Sequence, residues 1–316
     1  MKKLIIFPII FGSLLLIGGG ALLAIGISRK ENAKLVEETH TVEAFTNFDL
    51  KTNTSDIDLK VSNDDTYAVV VKEYEKMPHT VKVEDGTLKI TQENNYNWYE
   101  RIFNFSFQRE VVTIYAPAGA YANFKLDVAT GDLDIPSDFS FTTFESKQST
   151  GKMNIKCSVS ETIKIVGNTG DIRISDATAD ALDIKVDTGD VELTEVNITN
   201  DIKTISDTGD VILKETTFKN IDVKTDTGKV KLINSVGTGD AFIKTSTGDV
   251  TFDGADAFNI TVETGTGDVK GTLLTGKLFT AKSNTGYVNV PDDDPSTGGK
   301  CKITSHTGDI KITIKA

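Results

Sequence analysis

A Thr-Gly step recurs along the chain from residue 130 onward at a nearly constant interval. Its ten glycines are Gly131, Gly151, Gly170, Gly189, Gly209, Gly228, Gly248, Gly267, Gly286 and Gly308. The intervals between successive glycines are 20, 19, 19, 20, 19, 20, 19, 19 and 22 residues, and most of the glycines are followed by aspartate. Self-similarity at a fixed period of this length indicates a solenoid, in which each repeat stacks on the next.

The residues on either side of each Thr-Gly step alternate between apolar and polar, which indicates β-strands. The position three residues after the threonine is apolar in all ten repeats. The apolar residues, which are expected to face inward, lie an even number of residues from the threonine before the step and an odd number after it. The chain must therefore turn at the step, and glycine supplies the backbone freedom that a tight corner needs. Each period is therefore predicted to form one coil with two or three short strands.

Coils of this kind can bury their apolar side only against copies of themselves, as parallel ladders of Ile, Val and Thr. Crossovers between parallel strands are overwhelmingly right-handed. The sequence thus predicts an all-β fold for residues 121–316, a right-handed parallel β-helix (β-solenoid) of about ten coils of 19–20 residues. A TIM barrel or doubly wound fold would need helical stretches between the strands, and the sequence has none there.

The first thirty residues have a different character. The segment from Leu4 to Ile27 carries no charge and is flanked by basic residues on both sides. As a helix, a run of this length can cross a hydrocarbon core of about 30 Å. We predict that residues 1–30 form an uncleaved signal anchor, a single transmembrane helix, because the run exceeds the apolar core of a signal peptide. Cleavage after Gly20 or Gly26 is the alternative.

Membrane topology and net charge indicate the location of the repeats and the partners that they exclude. A long domain that follows a first apolar segment is normally translocated, so the repeats are expected outside the cytoplasm of a single-pass protein of the cell membrane. All 46 acidic residues but only 30 of the 34 basic ones follow residue 30, so that part has a net charge of 30 − 46 = −16. Such a charge argues against binding nucleic acid or an anionic lipid surface.

Residues 31–120 lack the strict period but keep the alternation of strands. The segment from Val81 to Ile90 is typical of a hairpin about an Asp-Gly turn. The phrase Thr54-Ser55-Asp56-Ile57 echoes the repeat with serine in place of glycine. We predict an irregular β region that caps the N-terminal end of the solenoid, since the open end of a solenoid needs a cap.

Aromatic residues cluster within this region, between residues 96 and 107. Phe103, Phe105 and Phe107 alternate like the inward face of a strand, which favours a role in closing the apolar column. Trp98 and Tyr99 are the candidate binding residues, because exposed aromatic side chains stack on sugar rings or anchor partner proteins.

The aspartates at the corners raise the question of a metal. Asp187, Asp190, Asp207 and Asp210 are weak calcium candidates, because carboxylates stacked about 4.8 Å apart repel and extracellular Ca²⁺ accepts oxygen ligands. The alternative is that each aspartate hydrogen-bonds the backbone of the turn. Neither an EF-hand spacing nor a nine-residue glycine-rich calcium repeat is present, so no metal site and no cofactor is predicted.

A catalytic role is not expected from the sequence. Polysaccharide lyases share the parallel β-helix and are a remote alternative, but their sites need a cleft walled by long loops with acidic and basic groups. The intervals here vary little, histidine occurs 3 times in the whole chain, and no HExxH, GxSxG, P-loop or CxxC motif is present. Cys157 and Cys301 both have inward parity and are predicted to be buried and unpaired.

The apolar N-terminal segment, the β region that ends in Ile114-Tyr-Ala-Pro117-Ala-Gly119 and the serial T-G-D-[VIL]-x-[ILV] units resemble the bacterial LiaG-like adhesins, a family of β-strand-repeat domains of unknown function. The resemblance covers residues 40–316, although Lys152, Lys229 and Tyr287 replace the aspartate. It implies a cell-envelope protein, in some members linked to envelope-stress signalling. The word adhesin labels the family and does not describe a demonstrated activity.

The functional prediction joins these observations. The chain is expected to be a membrane-tethered, extracytoplasmic, non-enzymatic binding module or envelope-stress accessory. Its expected partners are the membrane, through the N-terminal helix, and other envelope proteins. The alternative is an adhesin that binds an external glycan or surface ligand.

Overall fold

The computed structural model describes residues 35–93 and 108–315. In these two ranges the regular elements are β-strands, and none of the described residues forms a helix that could cross a membrane. The predicted transmembrane segment within residues 1–30 lies outside the described residues.

The strands are numbered in chain order. The N-terminal ones are β1 (Leu35–Thr41), β2 (Asn47–Val61), β3 (Ala68–Tyr74), β4 (His79–Glu84), β5 (Thr87–Gln92), β6 (Glu110–Ala116), β7 (Gly119–Thr130) and β8 (Leu133–Ile135). The central ones are β9 (Phe139–Thr150), β10 (Met153–Ile155), β11 (Ser158–Val159), β12 (Thr162–Thr169), β13 (Ile172–Ser175), β14 (Thr178–Ala179), β15 (Ala181–Thr188), β16 (Val191–Thr194), β17 (Asn197–Ile198), β18 (Asp201–Thr208), β19 (Val211–Lys214), β20 (Thr217–Phe218), β21 (Asn220–Thr227), β22 (Val230–Ile233), β23 (Val236–Gly237), β24 (Asp240–Thr247) and β25 (Val250–Ala255). The C-terminal ones are β26 (Asn259–Thr266), β27 (Val269–Leu273), β28 (Leu278–Thr285), β29 (Val288–Asn289), β30 (Lys300–Thr307) and β31 (Ile310–Ile314).

One coil of the repeat consists of a long strand before the Thr-Gly corner, a shorter strand after it and a two-residue strand. In the coil that begins at β15 these are β15, β16 and β17. Each pairs in parallel with its counterpart in the next coil, so that Leu182 lies beside Ile202 and Val191 beside Val211. The prediction of an all-β parallel solenoid of about ten turns is confirmed. Its right-handed sense stays a prediction.

The apolar core is a column of inward side chains that runs through the stack. Val191, Val211 and Val230 follow one another in adjacent coils and are fully buried. Cys157 and Cys301 are also buried, as their parity predicts, and neither forms a disulfide. The strands either side of each corner therefore contribute to one continuous core, which explains why their apolar positions recur so strictly.

The two cysteines should be chemically inert in the folded protein. Burial raises the pKa of the Cys157 thiol to about 12 and that of Cys301 to about 12. Because the thiolate is the reactive form, we expect no alkylation by iodoacetamide at pH 8 in the native state and alkylation of both in urea. Mass spectrometry of the treated protein measures this. Rapid native labelling of Cys157 would contradict its inward position.

The Thr-Gly corner requires glycine for two reasons. Gly209 has a φ of 147°, a conformation that residues with a side chain rarely adopt. A methyl group at Gly209 would also overlap the carbonyl oxygen of Gly189 in the preceding coil. The same corner places the Gly209 N–H 2.9 Å from the carbonyl oxygen of Thr227 in the following coil. The ladder of backbone hydrogen bonds thus continues around the corner, and only glycine fits within it.

The C-terminal coils do not stack in chain order. β30 lies between β26 and β28, and β31 lies between β27 and β29. The last coil of the sequence is therefore inserted beneath the coil of Gly286, which forms the end of the stack. For this reason Val288, which has inward parity, is 43% exposed, and Tyr287 is 84% exposed.

The N-terminal coils are also out of chain order. The first half of β2 pairs with β5 on one side and β7 on the other, and its second half pairs with β6 and β8. β2 is therefore a coil in its own right, with Ser55 at the position of the corner glycine, and the layer of β5 and β6 lies outside it. The antiparallel strands β4, β3 and β1 continue from this outer layer. The predicted hairpin about Asp85-Gly86 is formed by β4 and β5.

Candidate functional site

The predicted binding residues Trp98 and Tyr99 lie outside the described residues, but the two strands that flank them are described. β5 ends at Gln92 and β6 begins at Glu110, and both strands pair with β2. They are therefore the two strands of one layer. Between Gln92 and Glu110 the chain has 17 residues where the repeating coils have a short Thr-Gly corner, so the sequence of residues 93–109 is an insertion at a corner of the solenoid; residues 94–107 lie outside the described residues.

Polar contacts fix both ends of the insertion to the corner of β2. The Gln92 side-chain oxygen accepts the N–H groups of Asn53 at 2.7 Å and Thr54 at 3.0 Å. The Gln92 amide nitrogen donates to the Glu110 carboxylate at 2.9 Å, and the Thr54 hydroxyl donates to the same carboxylate. Glu110 is buried. One compact set of hydrogen bonds therefore joins the residue before the insertion to the residue after it.

A second buried network adjoins this corner and was not predicted from the sequence. The Ser55 hydroxyl lies 2.8 Å from Nε2 of His79, and Nδ1 of His79 lies 2.7 Å from the Glu73 carboxylate. A hydroxyl, an imidazole and a carboxylate in this order form the contacts of a catalytic triad. Ser55 is 1% exposed, however, and the His79 side chain is fully buried. The network joins β2, β3 and β4, and its serine is not presented to an outside substrate.

The sequence contained one signal of this network. Ser55 replaces the corner glycine in Thr54-Ser55-Asp56, and its side chain points to a partner that the other coils lack. The histidine and the glutamate come from strands without the repeat, so their positions could not be deduced from its period.

The corner aspartates form a hydrogen-bonded ladder along the stack. The Asp190 carboxylate accepts the backbone N–H of Asp210 at 2.8 Å, and the Asp210 carboxylate accepts that of Lys229 at 2.8 Å. At the C-terminal end, Asp309 accepts the N–H of Tyr287 at 2.8 Å. Each aspartate therefore accepts a hydrogen bond from the backbone of the next coil in the stack. A coil with lysine or tyrosine at the aspartate position still donates its backbone N–H to the aspartate of the neighbouring coil. This arrangement matches the backbone-bonding alternative for these aspartates.

The four calcium candidates occupy two neighbouring columns. Asp190 and Asp210 belong to the ladder, while Asp187 and Asp207 lie in the column that precedes the threonine. Among the residues that the structure describes, no group of three or more His, Cys, Asp or Glu side chains could hold a metal ion. One oxygen each of Asp190 and Asp210 is already used by a backbone N–H. The geometry therefore gives Asp190 and Asp210 a structural role.

Removing one rung of the ladder should weaken the solenoid measurably. We expect Asp210→Ala to lower the free energy of unfolding by about 1 kcal/mol, because the Lys229 N–H loses its acceptor. Asp210→Asn keeps an oxygen at this position and should lose less. Asp207→Ala, an exposed carboxylate in the other column, is the matched control. Urea melts of the three variants measure the difference, and equal effects for Asp207→Ala and Asp210→Ala would contradict the ladder.

Arg109, the last residue of the insertion, closes the ladder at the N-terminal end. Its guanidinium donates to Asp56 at 3.3 Å and also to Asp132. Burial acts to raise the pKa of Asp132, but the Lys152 N–H and the Arg109 guanidinium outweigh it and hold the pKa below its usual value. The Asp132 carboxylate therefore stays ionised and bound to Arg109 at neutral pH. The last residue of the insertion is thus attached to the regular solenoid.

The family model that describes Toastrack DUF4097 matches residues 45–235 and 199–316. The two matches together cover most of the chain and include both the β2 corner and the repeats. The chain belongs to this family. No curated protein is significantly similar to it in sequence. The narrower resemblance to LiaG-like proteins is not decided by this match.

Solved structures with some similarity include proteins described as adhesins. A "putative adhesin" from Parabacteroides distasonis is 12% identical with a TM-score of 0.41, covering 88% of this chain and 97% of that one. Another from Bacteroides fragilis is 16% identical with a TM-score of 0.34, covering 88% and 97%. A third from Parabacteroides merdae is 13% identical with a TM-score of 0.30, covering 89% and 97%. Scores this low carry no inference about function.

Proposed function

We propose that the chain is a membrane-tethered, extracytoplasmic binding module that works through contacts with other proteins of the cell envelope and catalyses no reaction. The observation that carries the proposal is the insertion of residues 93–109 at a corner of the stack. In repeat proteins, insertions in single repeats form loops on one face, which is often the binding face. This insertion carries Trp98 and Tyr99, and aromatic residues of these types are enriched at contact sites.

The regular part of the solenoid supports binding rather than catalysis. Its coils have short corners and present flat ladders of side chains, whereas enzymes bind small substrates in concave pockets. The contacts of Ser55, His79 and Glu73 are buried and tie strands together. An extended protein surface suits such a rod better than a small substrate does.

In this proposal residues 1–30 anchor the chain in the membrane. β1 begins at Leu35, so only a short tether would separate the anchor from the described fold. β1, β3 and β6 belong to the same end of the stack as the insertion. The insertion would therefore lie near the bilayer, within reach of integral membrane proteins. We accordingly place the chain with the LiaG-like members of the family, and a distant glycan or surface ligand is the adhesin alternative.

Photocrosslinking in cells tests which surface meets the partner. A photoreactive residue at position 97 of the full-length chain, beside Trp98, should capture an envelope protein, and one at position 287, an exposed position at the opposite end, should not. The double change Trp98→Ala and Tyr99→Ala should remove the captured partner, while Tyr287→Ala should leave it. The proposal would be contradicted if the envelope protein were captured from position 287, or if substitutions at the corners of the regular coils abolished its capture. If no envelope protein is captured and the double change Trp98→Ala and Tyr99→Ala abolishes adhesion of the cells to a glycan surface, the adhesin alternative is favoured.

The location is tested separately. Protease added to intact cells should degrade the repeats of a protein that fractionates with the membrane beforehand. A mature N-terminus after Gly20 or Gly26 would show cleavage and would contradict the anchor.

A further inference from the structure

A buried ion pair lies near the C-terminal end of the stack, away from the insertion. Nζ of Lys277 lies 2.9 Å from the Asp256 carboxylate, and the two side chains are 3% and 7% exposed. Asp256 follows β25 and Lys277 directly precedes β28, so the pair connects the regular coils to the coil that ends the stack. Long charged side chains are rarely buried to this extent, because removing two ions from water carries a large desolvation penalty.

The pair belongs to a closed ring of hydrogen bonds. Nζ of Lys277 donates to the Thr275 hydroxyl at 2.7 Å, and that hydroxyl donates to Oδ2 of Asp256 at 2.7 Å. The other carboxylate oxygen, Oδ1, accepts the backbone N–H of Ala257 at 2.8 Å. The two oxygens of one carboxylate therefore have different partners: Oδ2 accepts the Thr275 hydroxyl, whereas Oδ1 accepts the Ala257 N–H and is the oxygen that Nζ of Lys277 contacts.

The site also fits closely around the lysine stem. Gly299 is buried, and a methyl group there would lie 3.1 Å from Cδ and 3.4 Å from Nζ of Lys277. Such packing limits the positions that the amine can adopt. Holding an amine and a carboxyl group together out of water favours a reaction between them over the same reaction in solution.

We propose that Lys277 and Asp256 form an intramolecular amide bond. The Lys277 ammonium first passes one proton through the Thr275 hydroxyl to Oδ2 of Asp256. The neutral amine nitrogen then attacks the carboxyl carbon of Asp256, a C–N bond forms, and the bond from that carbon to Oδ2 breaks. Two of the three ammonium protons leave with Oδ2 as water, and one stays on the amide nitrogen, so that no oxidant or other reactant is needed.

The neighbouring groups fit the steps of this reaction. The Thr275 hydroxyl bridges the amine and Oδ2, so it can pass a proton from the nitrogen to the departing oxygen. The Ala257 N–H stabilises the negative charge that develops on Oδ1 when the carbon becomes tetrahedral. The product is a neutral amide, which removes the two buried charges and their desolvation penalty. The cross-link would attach the terminal coil covalently to the regular coils. This coil pairs with a neighbour on one side of the stack, through β30 and β31.

Mass spectrometry of the full-length chain tests the proposal directly. A protease that cuts after aromatic residues separates the two positions at Phe258. The peptides that contain Asp256 and Lys277 should be recovered joined, with a mass lower by one water molecule than their sum. The partly exposed pair Lys224 and Asp222, with a nitrogen-to-oxygen distance of 2.7 Å, lies within one peptide of this digest and is the internal control, because that peptide should show no loss of water.

Three variants separate chemistry from packing. Lys277→Arg keeps the charge but should lose the link completely. Thr275→Val, which lacks the hydroxyl, should slow its formation by about a hundredfold, while Thr275→Ser should form it. If the wild-type peptides are recovered separately after prolonged incubation of the folded protein, the proposal is wrong, whatever the variants do.

Discussion

Replacing Val211 by aspartate should destabilise the solenoid by roughly 4 kcal/mol or more, because an unpaired carboxylate would enter the apolar column. Val211 is 0% exposed and lies between Val191 and Val230 in the coils on either side. In a stack each coil contacts only its neighbours, so a break at one coil separates the two halves of the rod. We expect a much lower urea midpoint or loss of the soluble protein.

The neighbouring residue provides the matched control. Ile212 has outward parity and is only partly buried, beside Glu192 and Lys231 in the flanking coils. Ile212→Asp introduces the same charge one residue away and should change the midpoint far less. If the two variants melt alike, the assignment of inward and outward positions is wrong.

Replacing the corner residue Gly209 by alanine should destabilise the protein by about 3 kcal/mol or more, although only a methyl group is added. The φ of 147° at Gly209 is unfavourable for alanine, and the new methyl would overlap the Gly189 carbonyl oxygen. That oxygen belongs to the backbone of the preceding coil and cannot move without disturbing the ladder. The loss should appear as a lower urea midpoint and as strands that open locally in hydrogen exchange.

A glycine elsewhere in the repeats shows whether the corner is special. Gly167 lies within β12, and a methyl group there would meet Val186 at 3.6 Å and Ile172 at 3.9 Å, both ordinary contacts. Gly167→Ala should therefore change the stability by less than about 1 kcal/mol. Similar losses for both variants would show that alanine is disfavoured for reasons other than corner geometry.

The repeat unit could be predicted from the sequence because its signals are local. The alternation of apolar residues determines which side chains face inward, and the Thr-Gly step marks the corner where that parity changes. Both follow from strand geometry, so the buried position of Val211 and the parallel fold needed no tertiary information. The two alternatives for the aspartates could also be stated, although only the structure shows that Asp210 binds the N–H of Lys229 in the next coil.

The side-chain contacts at the β2 corner and at the C-terminal end could be predicted only in part from the sequence. Ser55 could be recognised as a corner residue without glycine, but nothing local connects it with His79 or Glu73. The same holds for Lys277 and Asp256, since both come from connections between strands and are brought together by the stacking of coils. Side chains from connections have no period from which their partners could be deduced.

The sequence by itself determined the coil, its inward column and its glycine corner, because these depend on residues close together in the chain. The order of the coils at the two ends was decided only by the tertiary structure. Coils with the same ladder can stack on one another in more than one order, so the repeat does not specify its neighbours. The connection from β29 to β30 contains Pro291 and Pro295 and no strand, and it allows the last coil to enter beneath the one before it.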